Sequence, residues 1–243
     1  MKEIMKINHL SKKFGGIKAV DDVTLTIHEG ELLGLIGPNG SGKSTFVNLI
    51  TGFYTPDSGQ VMFQGHNILN LSIAKRSRLG IGRTFQSPKP FTRMTVFESI
   101  YTIAMQTLSM KDAENKSEEI MDMMQLTSQA EMPSEMLPIE KRKWLDMARI
   151  LATDPKIIMM DEVLAGLNPR EMATSVEMVR KINASGIAIL FIEHVMSAVV
   201  NLCERIVVLN EGRLLAEGVP DEVMNNPKVI NVYLGGGYKH ASN

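Results

Sequence analysis

The stretch LLGLIGPNGSGKSTFVNLIT, residues 32–51, constrains the fold more than any other part of the chain. Five apolar residues, the length of a buried strand, run straight into a glycine-rich loop, and an apolar pattern of helical period follows. Strand, then G-x-x-x-x-G-K-S, then helix is the context that a phosphate-binding P-loop requires. Gly37, Gly40 and Gly42 let backbone N–H groups turn inward around a phosphate, with Pro38, Asn39 and Ser41 between them. Lys43 has the reach for β- and γ-phosphates, Ser44 supplies a hydroxyl for magnesium, and Thr45 follows as a further nucleotide-site candidate. ATP with Mg²⁺ is the expected ligand pair.

The rest of the chain supplies a scaffold for that loop. The first sixty or so residues alternate apolar and polar, as in VDDVTLTI, and predict antiparallel strands leading into the buried one. From about Ser72 to Leu151 the spacing turns helical and rich in Met and Ala, which predicts a helical lobe. Two apolar runs ending in acids, KIIMMDE and AILFIEH, flank the helical pattern NPREMATSVEMVRKINASG, so a βαβ unit with buried parallel strands is expected. RIVVLNEGRLLAEGVPDEVMNN predicts a hairpin turning at NEG and a helix begun at Pro220 and Asp221; the closing GGGYKHASN is expected to be flexible. Met residues around Met105 to Met124 suit either core packing or a docking surface.

Composition excludes some partners. A formal net charge of -1 over 243 residues offers no global basic field for nucleic acid or anionic lipid. One cysteine, Cys203, makes no internal disulfide, which fits a reducing compartment such as the cytosol. The N-terminal stretch has no apolar signal-peptide core, and runs such as IAILFI fall far short of the roughly 20 residues that span a bilayer. The chain is not expected to enter a membrane by itself.

Further candidates sit at strand ends, where ligands of open α/β sheets bind. Asp161 ends the buried strand within KIIMMDE as a metal-side acid, and strand alternation turns Glu162, immediately after it, to the other face as a base or water-orienting group. His194 closes AILFIEH. By itself Gln86, in GRTFQSPKP, reads as a loop amide rather than a metal ligand, and Phe14, in SKKFGG, as loop or core filler.

Taken in order, Phe14, GPNGSGKST, RTFQ, MMDE, AGLNP and IEHV resemble the aromatic loop, Walker A, Q-loop, Walker B, D-loop and switch histidine of ABC-transporter ATPase subunits. MTVFESI, IEHVMSAVV and NNPKVINVYLG further resemble the branched-chain amino acid importer group. The resemblance implies a P-loop α/β ATPase fold with an antiparallel β subdomain and an inserted helical lobe. Residues 1–85 and 152–235 would form the nucleotide-binding core, 86–151 the lobe and 236–243 a tail. It implies that Phe14 stacks on adenine, Gln86 links metal and permease-facing lobe, Glu162 polarises the attacking water and His194 contacts the γ-phosphate. The partners it implies are a second ATPase subunit, membrane permeases and, indirectly, an external solute-binding protein, with the chain peripheral on the cytoplasmic face of the membrane and no nucleic acid bound.

One motif departs from that pattern. MLPIEKRKWLDMAR puts Leu137, Pro138, Ile139, Glu140 and Lys141 where the family carries LSGGQ, which grips the γ-phosphate held by the opposite subunit. The serine hydroxyl is gone, and Glu140 stands where a glycine N–H would meet a phosphate. At an effective dielectric of about 20, a carboxylate some 4 Å from a phosphate charge costs on the order of 4 kcal/mol, part of which Lys141 would offset. Val163 and Asn168 also replace a proline and an aspartate common near Walker B and the D-loop. The damage falls on the half that serves the partner's nucleotide, which favours a heterodimer with an intact second subunit over a homodimer. A nucleotide-gated regulatory subunit with little turnover and a soluble non-transport ABC ATPase are the alternatives. A P-loop kinase would leave Gln86, AGLNP and His194 unexplained.

Overall fold

The structure, a computed structural model, describes residues 2–85, 91 and 93–235. It divides into two compact units, Met1–Arg76 with Ala188–Asn243, and Ser77–Ile187. Gln86 and the tail from 236 onward lie outside the described residues.

In the first unit, β1 (Glu3–Phe14) and β2 (Ile17–His28) form a long antiparallel pair, and β4 (Ser58–Phe63) and β5 (His66–Asn67) extend it in the order β2-β1-β4-β5. Alternation is regular in β2, where Val23, Leu25 and Ile27 are buried between less buried neighbours; in β1 Met5, Ile7 and Leu10 are buried, but so is Ile4, and the register shifts between Ile7 and Leu10. The parallel part has no such alternation. β3 (Leu32–Ile36) is buried at all five positions and pairs in parallel with β8 (Ala188–Ile192) and β9 (Arg205–Asn210). β10 (Arg213–Gly218) returns antiparallel to β9 through Glu211 and Gly212, both with positive φ, as a tight hairpin turn at NEG demands.

Helices α1 (Lys43–Thr51), α7 (Met196–Leu202), α8 (Pro220–Met224) and α9 (Pro227–Gly235) belong to this unit, and α2 (Ile73–Arg78) closes its first segment. At Gly34 a Cβ would stand 3.0 Å from the Cys203 Sγ and 3.1 Å from a Val199 methyl, so glycine sets how closely that chain segment packs on β3. Cys203 is buried there, and loss of solvation pushes its thiol up to about 12. Arg76 is also buried; its guanidinium donates to the Leu49 and Ile50 carbonyls at 2.8 and 2.6 Å and so caps the C-terminal end of α1.

The second unit holds β6 (Ile81–Arg83) in parallel with β7 (Ile157–Asp161), and helices α3 (Val96–Ala104), α4 (Met110–Met123), α5 (Ile139–Leu151) and α6 (Pro169–Ala184). β6 corrects the helical reading of Ser72 to Leu151, because three residues are too few to print a period of two. Caps start the helices: Thr95 with Glu98 and Asn168 with Glu171 form capping boxes, and Ser109 caps α4. The Ser99 and Ser134 hydroxyls bond each other at 3.0 Å in the core, and the latter also donates to the Met94 carbonyl at 2.8 Å. Met121 and Met124 are core, whereas Met105 and Met110 are exposed.

An ion pair between the buried Glu31 and the half-buried Arg205 ties β9 to the residue before β3. Glu31, 4% exposed, accepts from the Arg205 guanidinium at 2.8 and 3.0 Å and from the His28 N–H at 2.8 Å. Burial alone pushes its carboxyl up, but these donors outweigh burial and hold it below the usual carboxylate range. Arg205→Leu should therefore cost about 3 kcal/mol of stability near neutral pH, by stranding a buried carboxylate. Because the native value is depressed, the pair stabilises fully above the ordinary carboxylate value of about 4.3 and loses its contribution as pH falls through the native one. Denaturant titrations should show wild type and Arg205→Leu converging in acid; a gap independent of pH would remove the pair from that account.

Candidate functional site

The loop from β3 to α1 is shaped by contacts that exclude side chains. A Cβ at Gly37, with φ 152°, would lie 2.1 Å from the Leu209 carbonyl oxygen, and one at Gly42, with φ 105°, 2.2 Å from that of Ala19. The Gly212 N–H donates to the Ser41 carbonyl at 2.9 Å, so the turn of the β9–β10 hairpin backs the loop. Ser41 is buried; Pro38 and Thr45 are half-buried; Asn39, Gly40 and Ser44 face solvent.

Lys43 is only 7% exposed, and its ammonium donates to the Gly37 and Pro38 carbonyls at 2.7 and 3.1 Å. The loop thus folds around its own cation. Gly42 caps α1 with no side-chain bond, and the first turn carries no acid. The first N–H groups of this helix keep the positive potential that attracts a phosphate.

In the second unit Asp161 ends β7. Its N–H donates to the Thr84 hydroxyl at 2.9 Å, and its carboxylate pairs with Arg83 of β6 at 3.3 Å. Burial pulls the Arg83 guanidinium down and Asp161 restores part of the shift. Neither Arg83 nor Thr84 stood out in sequence; a basic and a hydroxyl residue just before RTFQ's glutamine were the only signal. Glu162 departs from the expected geometry: the strand stops at Asp161, and Glu162 turns into the left-handed region at φ 50°. Alternation along a strand therefore does not aim its side chain; a backbone conformation costing about 1–3 kcal/mol does.

The four named helices of this unit each carry an acid in the first turn, Glu98, Asp112, Glu140 and Glu171, unlike α1. α5 begins after Pro138 with no side-chain cap, and Glu140 lies in its first turn. Burial first, then the nearby Glu171 carboxylate, raise the Glu140 pKa, and Lys141 counters them only in part. The reason is visible in Lys141 itself, whose ammonium donates to the Gln125 carbonyl at 2.7 Å and lies 4.1 Å from the Trp144 ring centroid. Leu137 is buried, while Pro138 and Ile139 are exposed. Lys143, one turn on, donates to the Val163 carbonyl at 3.2 Å and to that of Ala165.

His194 follows β8 and is exposed, after the buried Glu193. Phe14 ends β1, 42% exposed, edge-on to Tyr54 at 5.2 Å. An exposed ring held by a second aromatic suits stacking on a planar base.

Among the described residues no group of three or more His, Cys, Asp or Glu side chains is placed to hold a metal. The Ser44 hydroxyl and the Asp161 carboxylate are hard oxygen donors, the type magnesium takes. A Mg²⁺ ion coordinated mostly by phosphate and water needs only one or two protein oxygens, and each of these side chains is by its chemistry such a donor within its own unit.

Comparison with known proteins agrees with this chemistry. The ABC transporter family model matches residues 20–165, and a model of the branched-chain amino acid ATP-binding cassette transporter matches residues 213–239. The probable branched-chain amino acid transport ATP-binding protein LivG of Archaeoglobus fulgidus is 35% identical, with 96% of each chain covered. The high-affinity branched-chain amino acid transport ATP-binding protein LivG of Escherichia coli K12 is 34% identical, over 96% of this chain and 98% of its own. A crystal structure of the ADP conformation of an ATP-binding cassette of an ABC transporter superposes with a TM-score of 0.87 at 33% identity, covering 97% of this chain and 100% of that one. A dimeric post-hydrolysis cassette bound to ADP and Pi has a TM-score of 0.78 at 25% identity, covering 89% and 98%.

Lys43→Ala removes the one ammonium inside the loop and should weaken ATP binding roughly 10- to 100-fold, the worth of a charge-assisted bond to phosphate. Calorimetric titration of ATP into the purified chain measures this; unchanged affinity would move the phosphate site elsewhere.

Proposed function

We propose that this chain, which belongs to the ABC transporter family of ATP-binding subunits, binds and hydrolyses ATP to power the import of branched-chain amino acids or a related small solute. The observation that carries this reading is the acid-free start of α1 wrapped around Lys43. The solute class is suggested by the printed names of the relatives and by the match over residues 213–239. No described helix is long and apolar enough to cross a membrane, so permease subunits would supply the path, with this chain peripheral on the cytoplasmic face.

Each residue has a role in this reading. The N–H groups from Gly40 to Thr45 and the Lys43 ammonium hold the phosphates; Phe14 stacks on the adenine. When bound, Mg²⁺ neutralises and orients phosphate oxygens, with Ser44, Asp161 and Gln86 as its protein donors. Glu162 accepts a hydrogen bond from the attacking water, and His194 steadies the γ-phosphate. Residues 1–85 and 152–235 serve the nucleotide, and 86–151 serve the permease. The segment Leu137–Lys141 faces the partner's nucleotide, where the Glu140 carboxylate opposes phosphate and Lys141 is engaged elsewhere. A second ATPase subunit with an unaltered signature would then complete the productive site that contains Lys43.

Glu162→Gln keeps the shape and removes the proton acceptor, so turnover of the assembled transporter should fall roughly 10²–10⁴-fold with ATP binding retained. In the same vesicles Lys43→Ala should stop hydrolysis, whereas the matching lysine change in the second subunit should leave a substantial fraction. Equal loss from both lysine variants would overturn the asymmetric pairing.

A further inference from the structure

We propose that Lys143 is a positioning residue for Glu162, acting through the backbone of the turn that follows it. Glu162 holds its left-handed conformation at φ 50° without being glycine, Asn or Asp, so the surrounding structure has to enforce it. Two backbone bonds within the turn are long: the Ala165 N–H reaches the Glu162 carbonyl at 3.2 Å, and the Leu167 N–H that of Leu164 at 3.3 Å. Regular helix resumes only at Pro169, behind the Asn168 cap. Between these points the Lys143 ammonium gathers two carbonyls of the turn, those of Val163 and Ala165. Leu164, between them, is buried, which fixes the turn from the other side.

The lysine is itself held. Its stem lines a small apolar cavity with Trp144, Met147 and Val163, leaving only the ammonium to seek polar partners. Trp144 in turn donates its indole N–H to the Ser175 hydroxyl of α6 at 3.4 Å. Lys143 therefore fastens the Glu162 turn to α5, the helix whose first turn carries the altered signature. A shift of α5 on engagement of the partner's nucleotide would be felt at Glu162 without any contact between Glu140 and Glu162.

This inference rests on Glu162 as the water-orienting group. In the isolated chain, Lys143→Met should speed hydrogen exchange of the amides of residues 163–167 roughly tenfold, the loss of a charge-assisted bond, with the β7 amides unchanged. In the assembled transporter Lys143→Met should lower kcat roughly tenfold with KM for ATP within about twofold, and Lys143→Arg, which keeps a cationic donor, should recover most of the rate. Unchanged exchange and kcat in Lys143→Met, a KM effect equal to the kcat effect, no recovery with Lys143→Arg, or faster exchange throughout Ser77–Ile187 would each overturn the proposal. Full turnover in Glu162→Gln would instead discard the assignment of Glu162, a failure distinguishable because the local exchange result does not depend on hydrolysis.

Discussion

Two backbone approaches, the Leu209 carbonyl onto Gly37 and the Ala19 carbonyl onto Gly42, decide what this chain can be. Each leaves no room for a Cβ, so the loop is pressed from β9 on one side and from β2 on the other. A loop held this closely needs no ligand to keep its curvature, and its N–H groups are set before any phosphate arrives. The buried β3 exists to deliver the chain to that point, and the β9–β10 hairpin, through Gly212, to support it from behind. The antiparallel strands β1 and β2 bring Phe14 and Ala19 into the same unit.

The same physics run in reverse at α5. Both α1 and α5 begin without a side-chain cap, so both have N–H groups to offer. At α1 the first turn holds no acid, and a lysine is folded inside the loop; at α5 the chain supplies Pro138 and its own carboxylate. A helix start that carries Glu140, with Glu171 close enough to raise its pKa, is already answered internally. Two helix ends of one chain thus have opposite appetites for anions, and the difference comes from a few side chains, not from the fold.

Sequence legibility follows the range of the interaction. The P-loop, the buried strands β7 and β8, the NEG turn and the start of α8 at Pro220 are encoded within a dozen residues each, and pattern or turn chemistry reveals them. What escaped reading is either very short or very long in range. β6 has three residues, too few for a period. Arg83 and Asp161, or Lys143 and Ala165, meet only because the backbone folds, and no spacing announces them. Glu162 is the instructive case: MMDE reveals its identity, but not its direction, because the strand stops one residue earlier. Gln86 is readable only as a motif, since it lies outside the described residues.

The packing at Gly34 has a practical side. The Sγ of Cys203 sits where a Cβ on Gly34 would be only 3.0 Å away, and its thiol is pushed up to about 12. Near neutral pH about one such group in 10⁵ is thiolate, the form that reacts with alkylating probes. Burial thus disfavours reaction of the native cysteine in the folded chain. Cysteines introduced at exposed positions, on the α5 start or on the turn after Glu162, would carry spectroscopic labels in preference to Cys203, without the cavity that removing Cys203 would open beneath β3.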